Sequence, residues 1–355
     1  MSDTRKTTKP NVPNLRFPGF SGEWELKRID EISPLQRGFD LPSQSLQVGS
    51  VPVVYSNGIM NYHNESKCVA PGIVTGRSGT IGRLTYIESG PYWPHNTSLW
   101  VTDFKGNIPL FVYYLLEHID LSRFSSGSGV PTLNRNDVHA FKTCIPSVEE
   151  QHKIADCLSI IDKRISIQNK VIEKYESLIK ALAHEIIGKN APNTMLSECV
   201  CCTSSTLKES DLSDAGAVPA YGAAGISGFT DNALSAGDSL LITKDGSGVG
   251  SLRYVSGPHS FVGTMNSMTP RDGFYLPYIY YALHNVSFET YRTGQAIPHI
   301  YFRDYGKERI FCPGYLDQKR IAIGLERIES KMLIERYFKE HLLSVKAYLL
   351  NALFI

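Results

Sequence analysis

The chain has almost no net charge, no long apolar run and no regular cysteine pattern. Lys and Arg number 36 against 35 Asp and Glu, a formal net charge of +1 over 355 residues. A simple nucleic-acid binder carries a strong basic excess, so a chain this near neutrality must segregate its charge or share phosphate contact with a partner. No segment approaches the ~18 consecutive apolar residues of a membrane span. The 7 cysteines are odd in number and irregularly spaced, which argues against a disulfide framework. Cys199, Cys201 and Cys202 cluster, but without the two-residue spacer or the second pair of a zinc knuckle, so they read as buried or incidental thiols in a reducing cytoplasm. Met1 to Pro10 is polar, lacks the apolar segment of a secretory signal, and is expected to be a disordered tail.

Catalytic signatures are also missing. Gly246-Ser247-Gly248-Val249-Gly250 lacks the Lys-Ser/Thr ending of a phosphate-binding loop, and a strand is expected after it rather than a helix. There is no Asn-Pro-Pro-aromatic motif for amine methylation and no helicase or nuclease carboxylate cluster. His95, Asn96 and Ser98, set against Asn266 and Ser267, give no nucleophile, base and orienting acid that repeat. What remains is ordinary globular material, 42% hydrophobic and 20% charged, long enough for two or three domains.

The chain is an internal duplication. Gly127 aligns with Gly294, an offset of 167, and the same offset pairs Pro131 with Pro298, Leu133 with Ile300, Asp137 with Asp304, Pro146 with Pro313, Gln151 with Gln318, Ala155 with Ala322 and Leu158 with Leu325. Upstream, Val51-Pro52 meets Val218-Pro219, and Phe111 to Tyr114 meets Tyr278 to Tyr281. Ser78 to Gly82 resembles Gly246 to Gly250 with the offset slipped by one. A register this constant implies two similar domains and two similar ligands.

Each half ends in a long helix. Ser147 and Glu150 form a capping box. Apolar residues then recur at Ile154, Leu158, Ile161, Ile165, Ile172, Tyr175, Ile179, Leu182 and Ile186, a heptad seam with one polar slot at Gln168, and Gly188 and Pro192 stop it. The second copy runs from about Pro313 through Ile321, Leu325, Ile328 and Met332 to Glu335, then is expected to slip to Phe338, Leu342, Val345 and Leu349. At 1.5 Å per residue each helix is roughly 55 Å long. Exposed apolar seams should pack on each other. If antiparallel, they bring Gln168 to Glu335, which either sets the register or lies partly solvated at the edge.

The segments before these helices are β-rich. Val51–Val54, Gly72–Thr75, Leu84–Ile87 and Leu99–Thr102 are expected strands and Pro109–His118 a helix, with Ser239–Thr243, Leu252–Val255 and the helix Leu276–His284 in the second half. The class is α+β. Two polar, glycine-bearing segments stand out, 123–135 and 291–303. They supply Arg123, Ser126, Ser128, Thr132, Asn134 and Arg135, and Arg292, Thr293, Gln295, His299, Tyr301 and Arg303. The glycine turns add Arg77, Ser78, Thr80 and Arg83, and Lys244, Ser247 and Arg253. Arginine can grip phosphate or guanine, and amides and hydroxyls can read base edges. Between the halves a Gly, Pro, hydrophobe and Asp framework is retained while the polar fill differs, as expected of one loop reading different bases. Each of the two segments is either an ordinary connecting loop or a DNA-reading one, and each turn either an ordinary hairpin or a DNA-facing one.

Pro13-Asn14-Leu15-Arg16-Phe17-Pro18-Gly19-Phe20, followed by Gly22-Glu23-Trp24-Glu25, resembles the opening of many Type I restriction-modification DNA specificity subunits. Gly76 to Gly82 is similar to a glycine-rich turn of their recognition domains. Pro146 to Ala155 and Gly314 to Ala322 resemble the starts of their two spacer helices. One departure is that Lys244-Asp245 align with Gly76-Arg77, which tells against carrying a base contact from one half to the other. The resemblance implies two target-recognition domains with small mixed β-sheets, joined by two long antiparallel coiled-coil helices with pseudo-two-fold symmetry. The expected boundaries are 1–147 for the tail and first recognition domain, 148–190 for the central spacer helix, 191–313 for the second recognition domain and 314–355 for the C-terminal spacer helix.

The resemblance further implies a cytoplasmic, non-catalytic subunit that binds double-stranded DNA. Methyltransferase and restriction subunits would be its partners, and S-adenosylmethionine, ATP and Mg would be bound by them rather than by this chain. Two other readings stand beside it, a self-contained methyltransferase or nuclease and a coiled-coil scaffold without DNA readout.

Overall fold

The computed structural model describes residues 11–126, 131–294 and 297–355. The expectations for Met1 to Pro10, Ser128 and Gln295 lie outside them. The chain forms two compact units, Met1–Ile167 with Phe338–Ile355, and Gln168–Tyr337. Both are α+β with small sheets.

In the first unit the strand Gly72–Gly76 is wholly buried and pairs antiparallel with Leu84–Ile87 and Ser98–Val101, with Leu35–Arg37 on the outer side of the latter. A mixed sheet beside it runs Gly58–His63, Val51–Tyr55, Pro91–Pro94, Cys68–Val69, and Val51–Tyr55 lies parallel to Pro91–Pro94. Pro109, fixed in φ and lacking an N–H, opens the helix Pro109–Ile119, whose Phe111, Val112 and Leu115 pack on Ile73, Leu99 and Val101. Ile154 and Leu158 of the first long helix, and Leu353 and Phe354 of the second, complete this core.

The second unit repeats the plan. A sheet of Val200–Ser204, Met265–Pro270, Ser239–Thr243 and Leu252–Val255 adjoins one of Gly225–Thr230, Val218–Gly222 and Ser260–Phe261, again with one parallel pair. The helix Leu276–Leu283 packs on it through a core containing Tyr278, Ile279, Leu240 and Ile242.

One buried glutamine per unit fixes how the long helix leaves the sheet domain. Gln151 accepts from Ile108 N at 3.0 Å and donates to Pro146 O at 3.1 Å. Gln318 accepts from Tyr275 N at 2.9 Å and donates to Pro313 O at 2.9 Å. Each partner is offset by 167, so the duplication extends to individual hydrogen bonds. The next turns do the same: Tyr114 Oη donates to Asp162 at 2.8 Å, and Tyr281 Oη to Glu329 at 2.5 Å.

The long helices run Val148–Ala183 and Tyr315–Leu353. In the second unit Gln168 Nε2 donates to the backbone carbonyl of Glu335 at 3.1 Å and to its carboxylate, bringing together the two polar slots of the seams. Three sequence expectations are corrected.

Ile186 is exposed and Ile187 buried, because His184–Gly188 is a π-turn; its one extra residue carries the apolar face on by one position. Phe338 is exposed, because the seam does not slip. It keeps its spacing through Lys339, Leu342, Lys346 and Leu349, and both lysines are half-buried there. Finally, only half of the capping box at Ser147 forms. Its Oγ accepts from Glu150 N at 3.5 Å, but the Glu150 carboxylate turns to Arg16, which grips it with Nε and Nη2, both at 2.8 Å. A bidentate, charge-assisted pair outweighs a bond to one backbone N–H.

That pair explains the opening run. Arg16 also donates to the carbonyls of Ser21 and Gly22, Leu15 N donates to Ala352 O, and Trp24 is buried. The segment clasps both long helices within the first unit.

Candidate nucleic-acid interface

In each unit a glycine turn crosses a polar loop, and the crossing is built from the same backbone bonds. In the first, Arg77 N and Ser78 N donate to Thr97 O at 2.9 and 3.2 Å, Gly79 N to Pro131 O at 3.3 Å, and Leu133 N to Arg77 O at 2.8 Å. In the second, Lys244 N and Asp245 N donate to Thr264 O at 2.9 and 3.3 Å, Gly246 N to Pro298 O at 2.9 Å, and Ile300 N to Lys244 O at 2.9 Å. All of these partners are 167 apart.

The alignment of the turns is corrected accordingly. Arg77 matches Lys244 and Ser78 matches Asp245, so a basic residue holds the same place in both. The slip of one residue falls later, inside the turn, since Gly82 N donates to Gly76 O while Gly250 N donates to Thr243 O. The shorter turn demands glycine at its base, where a Cβ on Gly76 would stand 1.7 Å from Thr80 O. The longer turn leaves room for Thr243. A strand, Leu252–Val255, follows the second turn, so it is no nucleotide loop.

Around the first crossing, Ser78 and Thr132 form a bridge, and Ser126 Oγ donates to Thr132 O at 3.4 Å. Thr80 and Arg83 are exposed on the turn, the Arg83 guanidinium lying beside Gly58. Arg123 is exposed and lies over the rings of Phe124 and Phe141, 5.4 and 4.8 Å from their centroids. Asn134 Oδ1 caps the short helix Arg135–Ala140 by accepting from Asn136 N at 3.0 Å, which commits its acceptor to the backbone. Arg135 belongs to that helix along with His139, whose Nε2 accepts from Leu35 N.

Around the second crossing, Asp245 and His299 form the corresponding bridge, and their side chains meet, Nδ1 to Oδ1, at 2.6 Å. His299 stacks on Tyr301 (centroids 6.5 Å apart), and the Arg303 guanidinium lies 4.9 Å from the Tyr301 ring centre. Thr293 Oγ1 donates to His299 O. Ser247 is exposed on the turn, and Arg253 reaches Gly225 much as Arg83 reaches Gly58. Arg292 is held by Glu289 at 2.8 Å, and Arg303 lies 3.6 Å from Asp304, which dilutes both charges.

Sequence reasoning missed Asp245, Thr97, Thr264 and the hairpin tip at Ser56, whose N–H donates to Thr97 Oγ1. The offset of 167, carried unbroken into the turn, would have found the first three. It also missed the stack of Tyr55 on His95, whose ring centroids are 4.2 Å apart. Burial holds His95 below the usual imidazole range despite a backbone bond to Leu41 and nearby Asp40, and its Nδ1 lies 3.0 Å from Thr97 Oγ1. Ser98 is buried, bonded to carbonyls of Val54 and His95, and Asn266 to Tyr305. One arrangement mimics a nucleophile and base: Ser239 Oγ lies 2.7 Å from His259 Nε2. Both residues are fully buried, and Nδ1 faces the Gly257 carbonyl rather than an acid. No substrate can reach it. Cys199 Sγ lies 3.7 Å from Cys312 Sγ. Among the described residues no helix is long and apolar enough to cross a membrane.

Residues 21–177 match the Type I restriction modification DNA specificity domain. The chain is 27% identical over 309 residues to a Mycoplasma pneumoniae protein named as a type I specificity subunit, covering 77% of this chain and 79% of that one. Its fold is similar to that of the S subunit of a Type I restriction-modification system from M. genitalium, with a TM-score of 0.65, 18% identity, and 97% and 99% of the two chains covered.

Proposed function

We propose that the chain is a member of the Type I restriction-modification DNA specificity family, which its match to that family's domain over residues 21–177 supports, and that its two turn-and-loop crossings are the surfaces that read DNA, one half-site each. It is the non-catalytic sequence-specificity subunit. The observation that carries the reading is the crossing itself. Two frames share the same backbone bonds where turn and loop cross, yet present Ser78, Thr80, Arg83 and Thr132 in one unit and Asp245, Ser247, Arg253 and His299 in the other. Frame and fill separate as base readout requires, a fixed scaffold presenting exchangeable donors and acceptors. Arg77 and Lys244, at the same point of both frames, suit the part of the contact that is alike at any sequence, the phosphates.

In this proposal residues 1–147 and 191–313 contain the recognition domains, and 148–190 and 314–355 the spacer helices, with Gln168 and Glu335 setting their register. Methyltransferase subunits using S-adenosylmethionine at adenine N6, and restriction subunits using ATP and Mg, dock on this cytoplasmic scaffold. The near-zero net charge leaves part of the phosphate grip to these partners, so the isolated chain binds DNA weakly at physiological salt.

The test is the methylome of cells co-expressing the chain with its methyltransferase subunit. A split motif with one modified adenine in each half is the expected result. No new adenine methylation from a stable complex would refute the DNA reading, and stoichiometric S-adenosylmethionine binding by the isolated chain would refute its non-catalytic role.

A further inference from the structure

We propose that Asp245 fixes His299 as a hydrogen-bond acceptor, and that His299 selects, at one position of the second unit's half-site, a base carrying an exocyclic amino group, adenine or cytosine. The inference rests on the DNA-reading role of the second crossing. It adds the chemistry that this crossing demands of its target.

The position is pre-organised on every side. His299 N donates to Thr293 O at 2.8 Å and receives Thr293 N at 2.9 Å on its own carbonyl, while the residues on either side of it, Pro298 and Ile300, are bonded to Gly246 and Lys244. The ring is stacked on Tyr301. Its Nδ1 is 2.6 Å from the Asp245 carboxylate, a group that can only accept when ionised. In a neutral imidazole the proton must then sit on Nδ1, and Nε2 is left as a bare acceptor. Nε2 has no partner among the described residues and is not a buried atom, and the His299 side chain is 36% exposed.

In the major groove the base-edge donors are the N6 amino group of adenine and the N4 amino group of cytosine, whereas guanine and thymine present acceptors at the equivalent place. An acceptor held rigidly therefore discriminates amino from keto bases on one strand. The first unit has Ser78 and Thr132 at these two places, 167 residues earlier. These are hydroxyl side chains, which differ in kind from a carboxylate and imidazole pair.

The experiment uses the complex of the full chain with its methyltransferase subunit, assayed for methylation rate on duplexes randomised one position at a time across both half-sites. The wild type is expected to favour adenine or cytosine over guanine and thymine by about tenfold at one position of one half-site. His299→Ala and Asp245→Ala should both lose that preference, the other half-site keeping its own. The double variant should be no worse than either single one, which a merely structural Asp245 would not produce. His299→Gln, which restores a carbonyl acceptor, should recover part of the preference.

Unchanged selectivity in both alanine variants, with folding verified by melting, overturns the inference while leaving the DNA-reading role intact. So does a wild-type preference for guanine or thymine that His299→Ala abolishes, since the ring would then be donating. A wild-type complex that methylates no defined motif overturns the proposed function and the inference together.

Discussion

Lys346 offers the sharpest test of how the first unit is held together. Its ammonium, 12% exposed, lies 2.9 Å from both Glu117 Oε1 and Asp162 Oδ1, above the ring of Tyr114, whose hydroxyl donates to Asp162. Burial alone would lower its pKa, but hydrogen bonds to Asp162 and Glu117 outweigh burial and raise it. Lys346→Met keeps the stem and removes the charge, leaving two neighbouring carboxylates uncompensated. Removing one partner of a buried pair costs about 3–5 kcal/mol. Here the acids are 32% and 35% exposed, and solvent screening reduces the expected loss to about 2 kcal/mol. In a unit of this size each kcal/mol moves a melting midpoint by about 2–4 °C, so the first unit's transition should fall by about 4–8 °C. The triple variant Lys346→Met, Glu117→Gln, Asp162→Asn removes all three charges and should return to within about 1 kcal/mol of the wild type. Because the folded pKa is raised, the contribution is complete below the ordinary lysine value of about 10.4 and is lost as pH rises through the folded value. Alkaline melting should show that step in the wild type and not in Lys346→Met. An unchanged midpoint in the single variant, or a triple variant less stable than the single one, would refute the account.

Other substitutions probe the repeated features. Gln318→Ala orphans Tyr275 N and Pro313 O, and should cost the second unit about 2 kcal/mol in a urea titration, with Gln151→Ala doing the same to the first. Gly76→Ala should abolish recognition of one half-site, because its Cβ would collide with Thr80 O, whereas Thr243→Ala at the matching place should be tolerated, as the methylome would show. Arg77→Ala and Lys244→Ala should each weaken DNA binding by the full complex about equally at all sequences. Each should lower the slope of log K against log salt by about one. Replacing Gln168 and Glu335 together by Leu should raise the melting midpoint of the second unit by about 1 kcal/mol equivalent while sedimentation reveals altered or mixed association; a single unchanged species would remove the register role.

The duplication was legible because its offset recurs at framework residues that do structural work. Gln151 and Gln318, or Pro131 and Pro298, are retained since each holds one backbone bond that the fold cannot replace. The long helices were legible for the same reason, as apolar side chains at heptad spacing must find cover. Three features were hidden for separate physical reasons. Lys346 lies in the seam, yet a pattern of apolar letters cannot register a lysine whose stem is buried and whose head is paired. The π-turn at His184–Gly188 leaves no mark in composition, and only its consequence, Ile187 buried in place of Ile186, betrays it. The inserted residue in the second turn was hidden by the likeness of Ser78 to Gly82 with Gly246 to Gly250, which drew the alignment one place too far.

That last error bears most directly on function. Aligned by letters, the second turn has Lys244 and Asp245 where the first has Gly76 and Arg77, and no contact carries over. Aligned by their hydrogen bonds, a basic residue occupies the same point in both, and the next residue differs in a way that changes its chemistry, serine in one and a carboxylate in the other. Asp245 and His299 are separated by 54 residues, and neither is unusual alone. Their pairing exists only because the frame lays the turn across the loop. The frame was therefore readable from the sequence, and the side-chain pairs that give it selectivity were not, since selectivity lies in contacts between positions that the duplication leaves free to differ.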